Sequence, residues 1–248
     1  MAQTHERRRS IGCCLSGGEF SVLADYAARA AWPSGFQIYE RGATADGVFV
    51  VLSGVVMLRS KVRIGRSFVP AVAFSGGTFG AEGLCPNGAY ATEARTGGET
   101  ETLFLNSSRL RAFVRERPAD ALTLFSQVMA ERAALLEKMC EITTLSLEQR
   151  IVSTLHRMVL QKSVLEHDDR FEISGVQYRL LCELVGATRE SVALVLGRLC
   201  ENGTINREGS TMFVASSSRL LDRSGYTADH ASRGDGDPES LARATVCP

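Results

Sequence analysis

The stretch that decides the fold of the C-terminal part is QYRLLCELVGATRESVALVLGRLCENGTI, residues 177–205. It predicts two helices joined by a tight turn at Gly186, because glycine adopts a left-handed backbone at little cost. Thr188 is placed to cap the second helix, and Glu190 lies in its first turn, where the helix dipole favours a negative charge. Close packing of the two helices is predicted by facing apolar stripes, which consist of Leu181, Cys182, Val185, Val192, Leu196 and Leu199.

After the second helix, residues 204–214 predict two short strands around a turn that contains glycine. Two helices followed by a hairpin form a winged helix-turn-helix, in which the start of the second helix meets base edges of DNA. The polar residues expected there are Thr188, Arg189, Glu190 and Ser191. Arg189 can bond guanine O6 and N7 as a fork, and Glu190 can accept from cytosine N4. Arg198, two turns later, is either a phosphate contact or a surface charge.

Upstream, residues 118–145 predict one helix that is longer than a typical globular helix. Its repeat follows alternating steps of three and four residues and consists of Leu122, Phe125, Met129, Arg132, Leu136 and Met139. Over this length the repeat predicts a coiled-coil seam with a second copy of the chain, with Arg132 as its charged member. The alternative is a helix that lies on the sheet of its own domain.

The N-terminal part, from Gly35 to Leu105, consists of short β-rich runs separated by glycine-containing turns. This texture is typical of a sandwich or barrel. A short helical pattern at 16–31 precedes it, and a helix at 109–117, capped near Asn106, follows it.

The length and composition fit a chain with two domains of modest size. The 248 residues are 44% hydrophobic and 23% charged, with a formal net charge of zero. Zero net charge counts mildly against a nucleic-acid protein, although a dimer needs only one basic face. No apolar run approaches the roughly 18–20 residues that span a bilayer, and the polar, Arg-rich start at 1–10 does not read as a signal peptide. We therefore expect a cytoplasmic protein without a membrane partner.

Metal and enzyme chemistry find little support in the sequence. The seven cysteines are scattered rather than paired as metal ligands, so no metal site is predicted. Gly-x-Ser-x-Gly and phosphate-loop motifs are absent, and the adjacent acids Asp168 and Asp169 are typical of a solvated turn. We therefore predict no enzyme and no catalytic residues. A second rival class is a nucleotide sensor whose output is protein contact, against which the helix-turn-helix and wing argue.

Residues 18–215 resemble the Crp/Fnr family of bacterial regulators. The similarity rests on LVGATRESV at 184–192, on YERGATADGVFVVLSG at 39–54, and on the order of the parts. The resemblance implies an α+β fold with a cyclic-nucleotide-binding-type β-roll, a long dimerisation helix and a C-terminal winged helix-turn-helix. We expect a flexible N-terminus at 1–17, the β-roll at 18–117, the dimerisation helix at 118–145, the DNA-binding domain at 146–215 and a disordered tail at 216–248.

The resemblance also implies a homodimer that binds an inverted repeat in double-stranded DNA and acts on RNA polymerase. In the family, residues matching Arg189 and Glu190 read the outer G·C pairs of a TGTGA-type half-site. A further arginine of some members corresponds to Leu194, and leucine cannot make that contact. We therefore expect a shortened, TGT-like half-site whose inner positions stay open.

The resemblance puts a ligand pocket in the β-roll, and the residues that could line it are Gly80, Glu82, Thr92 and Arg95. The position of the family's phosphate-binding arginine holds Ala91, and its adenine-binding Thr-Ser pair falls on Leu135 and Leu136. Without a cation, a buried phosphate is poorly compensated, and Arg95 could substitute only if the strand register shifted. We therefore expect no cofactor and no dependence on cyclic AMP. The alternative is a regulator gated by another cyclic nucleotide or a cyclic dinucleotide.

Overall fold

The computed structural model describes residues 17–63, 66–166, 171–209 and 211–214. They belong to two compact units. The first holds the described residues up to Leu145 together with Cys182–Thr188, and the second holds Ser146–Leu181 and the described residues from Arg189 onward. Apart from Gly17, the predicted flexible N-terminus at 1–17 and the tail at 216–248 lie outside the described residues, as do Asp168 and Asp169.

The first unit contains eight strands in two antiparallel sheets within its described residues. They are β1 (Ala28–Trp32), β2 (Gln37–Tyr39), β3 (Gly47–Ser53), β4 (Val55–Arg63), β5 (Arg66–Phe74), β6 (Thr78–Phe79), β7 (Glu93–Thr96) and β8 (Thr100–Asn106). One sheet has the order β1-β8-β3-β6 and the other the order β2-β7-β4-β5. The β-rich N-terminal part expected from the sequence is confirmed.

Strand β3 explains how this unit builds two apolar clusters. Successive side chains of a strand point to opposite faces. Val48 and Val50 therefore join a cluster with the helices, while Phe49 and Val51 join a second cluster with residues of both sheets. All four are buried, and a strand covered on both faces reads as a continuous apolar run.

Three helices belong to the first unit: α1 (Gly17–Ala24), α2 (Ser107–Glu116) and α3 (Pro118–Thr144). The Asn106 side chain caps α2 by accepting a hydrogen bond of 2.9 Å from the Arg109 N–H. Pro118 lies in the first turn of α3, where its missing N–H costs no intrahelical bond. The bounds of α3 match the predicted long helix.

The predicted helix at 16–31 is wrong in its second half, because Ala28–Trp32 forms β1. This strand pairs with β8 from Ala28 opposite Phe104 to Trp32 opposite Thr100. The Trp32 indole N–H also donates to the Thr102 hydroxyl at 2.9 Å. Pairing with β8 outweighs the helix preference of the alanines in this segment, because tertiary contacts override intrinsic propensity.

The described residues after Leu145 form three helices and three strands. They are α4 (Leu147–Glu166), β9 (Phe171–Ile173), α5 (Gly175–Val185), α6 (Arg189–Glu201), β10 (Asn206–Glu208) and β11 (Thr211–Val214). The strands form one antiparallel sheet of order β10-β11-β9. Helix α4 packs against α6. None of the described helices combines the length and the apolar character that a membrane span needs.

Candidate functional site

Helix α6 has one buried face and one exposed face. The buried side chains are Val192, Val195, Leu196 and Leu199. Arg189 and Glu190 are exposed at the N-terminal end of the helix, whereas Ser191 and the preceding Thr188 are half-buried. The predicted polar edge therefore contains two exposed side chains, an arginine and a glutamate, at the helix start.

The turn before α6 has the predicted geometry. Gly186 has φ 72°, in the left-handed region that a Cβ disfavours. The Gly186 and Ala187 N–H groups both donate to the Cys182 carbonyl, at 3.0 and 3.2 Å, and this closes the end of α5. This geometry supports the helix-turn-helix predicted from residues 177–205.

A tyrosine that the sequence did not single out connects the two helices. The Tyr178 hydroxyl on α5 donates to the Arg189 carbonyl at 2.5 Å. Since Arg189 is the first residue of α6, this bond fixes the start of α6 relative to α5. The apolar pattern could not reveal it, because Tyr178 acts through its hydroxyl.

Arg198 lies two turns beyond Arg189 and is also exposed. Its guanidinium stands 3.7 Å from the Glu148 carboxylate of α4, and both side chains are open to solvent. Exposed pairs of this kind contribute little to stability. Arg198 is therefore available as a phosphate contact or a surface charge, the two alternatives left by the sequence.

Helix α3 carries two distinct apolar faces. Ala121 and Leu124 are buried in the cluster that contains strands β3 and β8. The predicted seam lies on another face, where Leu122, Met129, Leu136 and Met139 are exposed. Arg132 is exposed as well, and Phe125 is half-buried against the core. The seam therefore does not pack on the sheet of its own domain, except in part through Phe125.

A polar group lies on the buried side of α3. The Thr78 N–H of β6 donates to the Glu131 carboxylate, and the Gln127 amide donates to the same oxygen at 3.3 Å. Burial raises the pKa of Glu131, although both hydrogen bonds oppose that rise. The apolar pattern could not reveal this contact, because Glu131 reads as a solvent-facing acid between apolar positions.

Three of the four predicted ligand residues lie in one region of the roll. Gly80 has φ 72° and precedes a 3₁₀ turn at Ala81–Leu84. The Glu82 carboxylate accepts a hydrogen bond of 3.0 Å from the Ala91 N–H. Burial raises the pKa of the Tyr39 phenol, and the Glu82 charge adds to that rise, whereas a hydrogen bond between the Tyr39 hydroxyl and Thr92 opposes it. In this region the backbone N–H of Ala91 therefore already donates to a carboxylate of the chain itself.

Buried aromatic rings fill the interior beside Gly80. Tyr39 and Tyr90 stack with their centroids 3.6 Å apart, and Phe49 and Phe79 stack at 4.8 Å. A Cβ on Gly80 would stand 3.1 Å from Tyr90 and 3.3 Å from Phe49. Burial raises the pKa of Tyr90 to about 12, so its phenol stays neutral at physiological pH. The space next to the predicted ligand residues is therefore occupied by aromatic carbon.

Arg95 does not join the other three ligand candidates. Its neighbour Ala94 belongs to the aromatic cluster, so strand alternation turns Arg95 to the opposite face of the sheet. There its guanidinium donates to the Gly35 carbonyl at 2.9 Å and to the Gln37 side chain at 2.8 Å. The register shift that would bring Arg95 to a phosphate has not occurred.

A pocket of about 280 Å³ opens on that outer face. It is lined by Gln37, Glu40, Arg41, Arg59 and Glu93. Two arginines and two glutamates cancel in charge, so this lining offers no net cation for an anionic ligand.

Comparison with known proteins places these features in a family. Residues 31–117 match the model of the cyclic nucleotide-binding domain. Over 192 residues the chain is 20% identical to a CRP-like cAMP-activated global transcriptional regulator from Mycobacterium tuberculosis. That alignment covers 77% of this chain and 86% of the relative.

Solved structures share the fold. The c-di-GMP responsive global regulator CLP of Xanthomonas campestris superposes with a TM-score of 0.69 at 22% identity, covering 80% of this chain and 99% of that one. A Crp/Fnr family regulator from Eubacterium rectale gives 0.63 at 16% identity, covering 84% and 94%. The chain therefore contains a cyclic nucleotide-binding domain at 31–117. Over 77% of its length it is similar to a CRP-like transcriptional regulator, and it shares the fold of a Crp/Fnr family structure.

Proposed function

We propose that the chain is a homodimeric, sequence-specific DNA-binding regulator that acts in the cytoplasm without cyclic AMP. It binds an inverted repeat with TGT-like half-sites and influences RNA polymerase at the neighbouring promoter. The observation that carries this proposal is the pair of exposed side chains, Arg189 and Glu190, at the start of α6.

Base reading follows from the chemistry of that pair. A guanidinium forms two parallel bonds to guanine O6 and N7, while a carboxylate accepts from cytosine N4. Arg189 and Glu190 therefore suit G·C pairs, which the arginine reads through guanine and the glutamate through cytosine. The Tyr178 bond to the Arg189 carbonyl holds the helix start in place, so these side chains approach the bases from a fixed backbone. Thr188, Ser191 and Arg198 are assigned to supporting base or phosphate contacts.

Dimerisation is supported by the exposed seam of α3. Large apolar side chains in a continuous stripe mark interaction sites when they are open to solvent. Leu136, for example, keeps 53% of its surface exposed, while Leu124 of the same helix is buried. A second copy of α3 would cover the stripe as a coiled coil. Two α6 helices in such a dimer would read two half-sites related by a two-fold axis.

Independence from cyclic AMP is supported by the roll interior. Tyr39 and Tyr90 occupy the space beside Gly80, and Glu82 already accepts from the Ala91 N–H. Position 91 carries no cation, and Arg95 is bonded on the other face. Among the described residues, a cyclic phosphate beside Gly80 would therefore meet the Glu82 carboxylate without a compensating positive charge.

The second candidate is a regulator gated by a different nucleotide. It is favoured by the cyclic nucleotide-binding domain match at 31–117 and by the fold shared with a c-di-GMP responsive regulator. A cyclic dinucleotide carries two phosphates, so it too would need cations that the described interior of the roll does not present beside Gly80.

The test is selection from a pool of random duplexes by the purified chain at near-physiological salt. It is run without ligand and then with cyclic AMP, cyclic GMP and cyclic di-GMP in turn. We expect enrichment of an inverted repeat without ligand. Enrichment only after one nucleotide is added would favour the second candidate, and no enrichment under any condition would contradict DNA reading by α6.

A further inference from the structure

Leu194 lies on the exposed face of α6, next to the residues assigned to base reading. It keeps 72% of its surface exposed, and no large apolar side chain among the described residues is more exposed. Isolated exposed leucines are common on proteins, so exposure alone assigns no role. The position of Leu194 on the helix is what carries the inference.

Helix geometry puts Leu194 directly behind the charged edge. Residues four apart lie one above the other on a helix, so Leu194 follows Glu190 and Ala193 follows Arg189. Ala193 is exposed too, and a Cβ on Gly197 would meet nothing within 4 Å. The exposed face of α6 is therefore charged at its start and small or apolar over the next turn.

We propose that Leu194 reads the C5-methyl group of a thymine at an inner position of the half-site. This inference rests on the proposed function and deepens it. In the major groove, thymine differs from the other bases by its methyl group, which favours apolar contact. Cytosine would instead present its N4 amine to leucine, which has no acceptor, so the amine would lose water without gaining a partner. Leu194 therefore selects thymine and rejects cytosine.

The test uses the full chain and the duplex it selects, with inner thymines replaced one at a time by deoxyuridine. This replacement removes only the methyl group. Burial of one such carbon corresponds to about a fourfold change in affinity per half-site. At one inner position we expect a loss of about that size, measured by fluorescence anisotropy.

Variants of Leu194 assign the effect to this side chain. In Leu194→Ala the penalty for deoxyuridine should vanish, while Leu194→Met, which keeps an apolar side chain of similar size, should retain it. Because Leu194 is exposed, neither change threatens the fold, and circular dichroism checks that.

The outcomes separate this inference from the proposed function. The parent chain could select a duplex and yet lose no affinity when any inner thymine is replaced by deoxyuridine. Alternatively, Leu194→Ala could keep the same affinity loss as the parent. In either case Leu194 does not read thymine, while the proposal of DNA binding stands. Unchanged affinity of Leu194→Ala for the selected duplex would also overturn the inference, because the leucine side chain would then contribute nothing to DNA binding. If the parent selects no duplex, both proposals fail.

Discussion

The rings of Tyr39 and Tyr90 stack with their centroids 3.6 Å apart and their planes 9° apart. Both tyrosines are buried, and the stack stands beside Gly80. A nucleotide entering this part of the roll would have to displace aromatic rings that already pack against Phe49 and Phe79. This packing is the physical basis for expecting a regulator that does not need cyclic AMP.

Addition of a cyclic nucleotide should therefore leave the thermal stability unchanged. A ligand at 100 times its dissociation constant stabilises the folded state by about 2.7 kcal/mol, which shifts a melting temperature measurably. We expect no shift with millimolar cyclic AMP, cyclic GMP or cyclic di-GMP in differential scanning fluorimetry. A rise of several degrees with one of them would show that the aromatic stack opens for a ligand.

Gly83 and Gly47 approach each other too closely for a side chain. A Cβ on Gly83 would lie 2.1 Å from the Gly47 carbonyl oxygen. Gly83→Ala should therefore destabilise the first unit by about 1–3 kcal/mol, as overpacking does. Gly98→Ala is the matched control, since a Cβ there would meet nothing within 4 Å. Equal urea midpoints for the two variants would contradict this close approach.

The seam of α3 predicts the oligomeric state. Leu136→Glu puts a charge into the stripe and should shift the chain from dimer to monomer in sedimentation velocity, because a buried unpaired carboxylate is costly. Ala134→Glu adds the same charge at another exposed position of α3 and should leave the dimer intact. A dimer that survives Leu136→Glu would mean that the seam is not the interface.

Glu131 predicts a pH dependence of stability. Burial raises its pKa, so the folded chain holds this proton more tightly than the unfolded chain. Stability then falls as pH rises from about 4.3, the ordinary value, through the raised pKa of the folded state. Glu131→Gln removes the ionisation and can still accept from the Thr78 N–H. We expect a higher melting temperature than the parent at pH 7–8 and a shrinking difference toward pH 4.

The control for this prediction is Glu137→Gln, an exposed acid of the same helix, which should change the melting temperature little. A Glu131→Gln variant that is no more stable than the parent at pH 8 would show that the hydrogen bonds from Thr78 and Gln127 outweigh the burial of the charge.

Local patterns in the sequence predicted the parts of the fold that local physics controls. The turn at Gly186 needs a left-handed backbone, and the stripe through Leu122 and Met139 follows helical spacing, so both could be found without coordinates. Strand Ala28–Trp32 could not, because it depends on pairing with Thr100–Phe104. Neither could the Tyr39–Tyr90 stack, since its members are distant in sequence and only the folded roll brings them together.

The residues of the candidate site were likewise predictable from the sequence only in part. Arg189 and Glu190 were predictable because the first residues after a helix cap are usually exposed when they are charged. The face of the sheet that carries Arg95 was not, since strand register decides it and the sequence left that register open. Tyr178 was missed because its role is one hydroxyl bond to a backbone carbonyl.

The most direct test of DNA reading by α6 is the affinity of the parent chain and Arg189→Ala for the selected inverted repeat, without any ligand. Each forked arginine contact contributes about 1–3 kcal/mol of discrimination, and a dimer makes two, so Arg189→Ala should bind about 30-fold more weakly or worse. Arg189→Lys should still bind DNA non-specifically but should lose the preference for the inverted repeat, because lysine cannot form the two parallel hydrogen bonds of arginine to guanine. Arg157→Ala, which removes an exposed arginine of α4, should bind like the parent. If Arg189→Ala binds the repeat as tightly as the parent does, α6 is not the element that reads DNA.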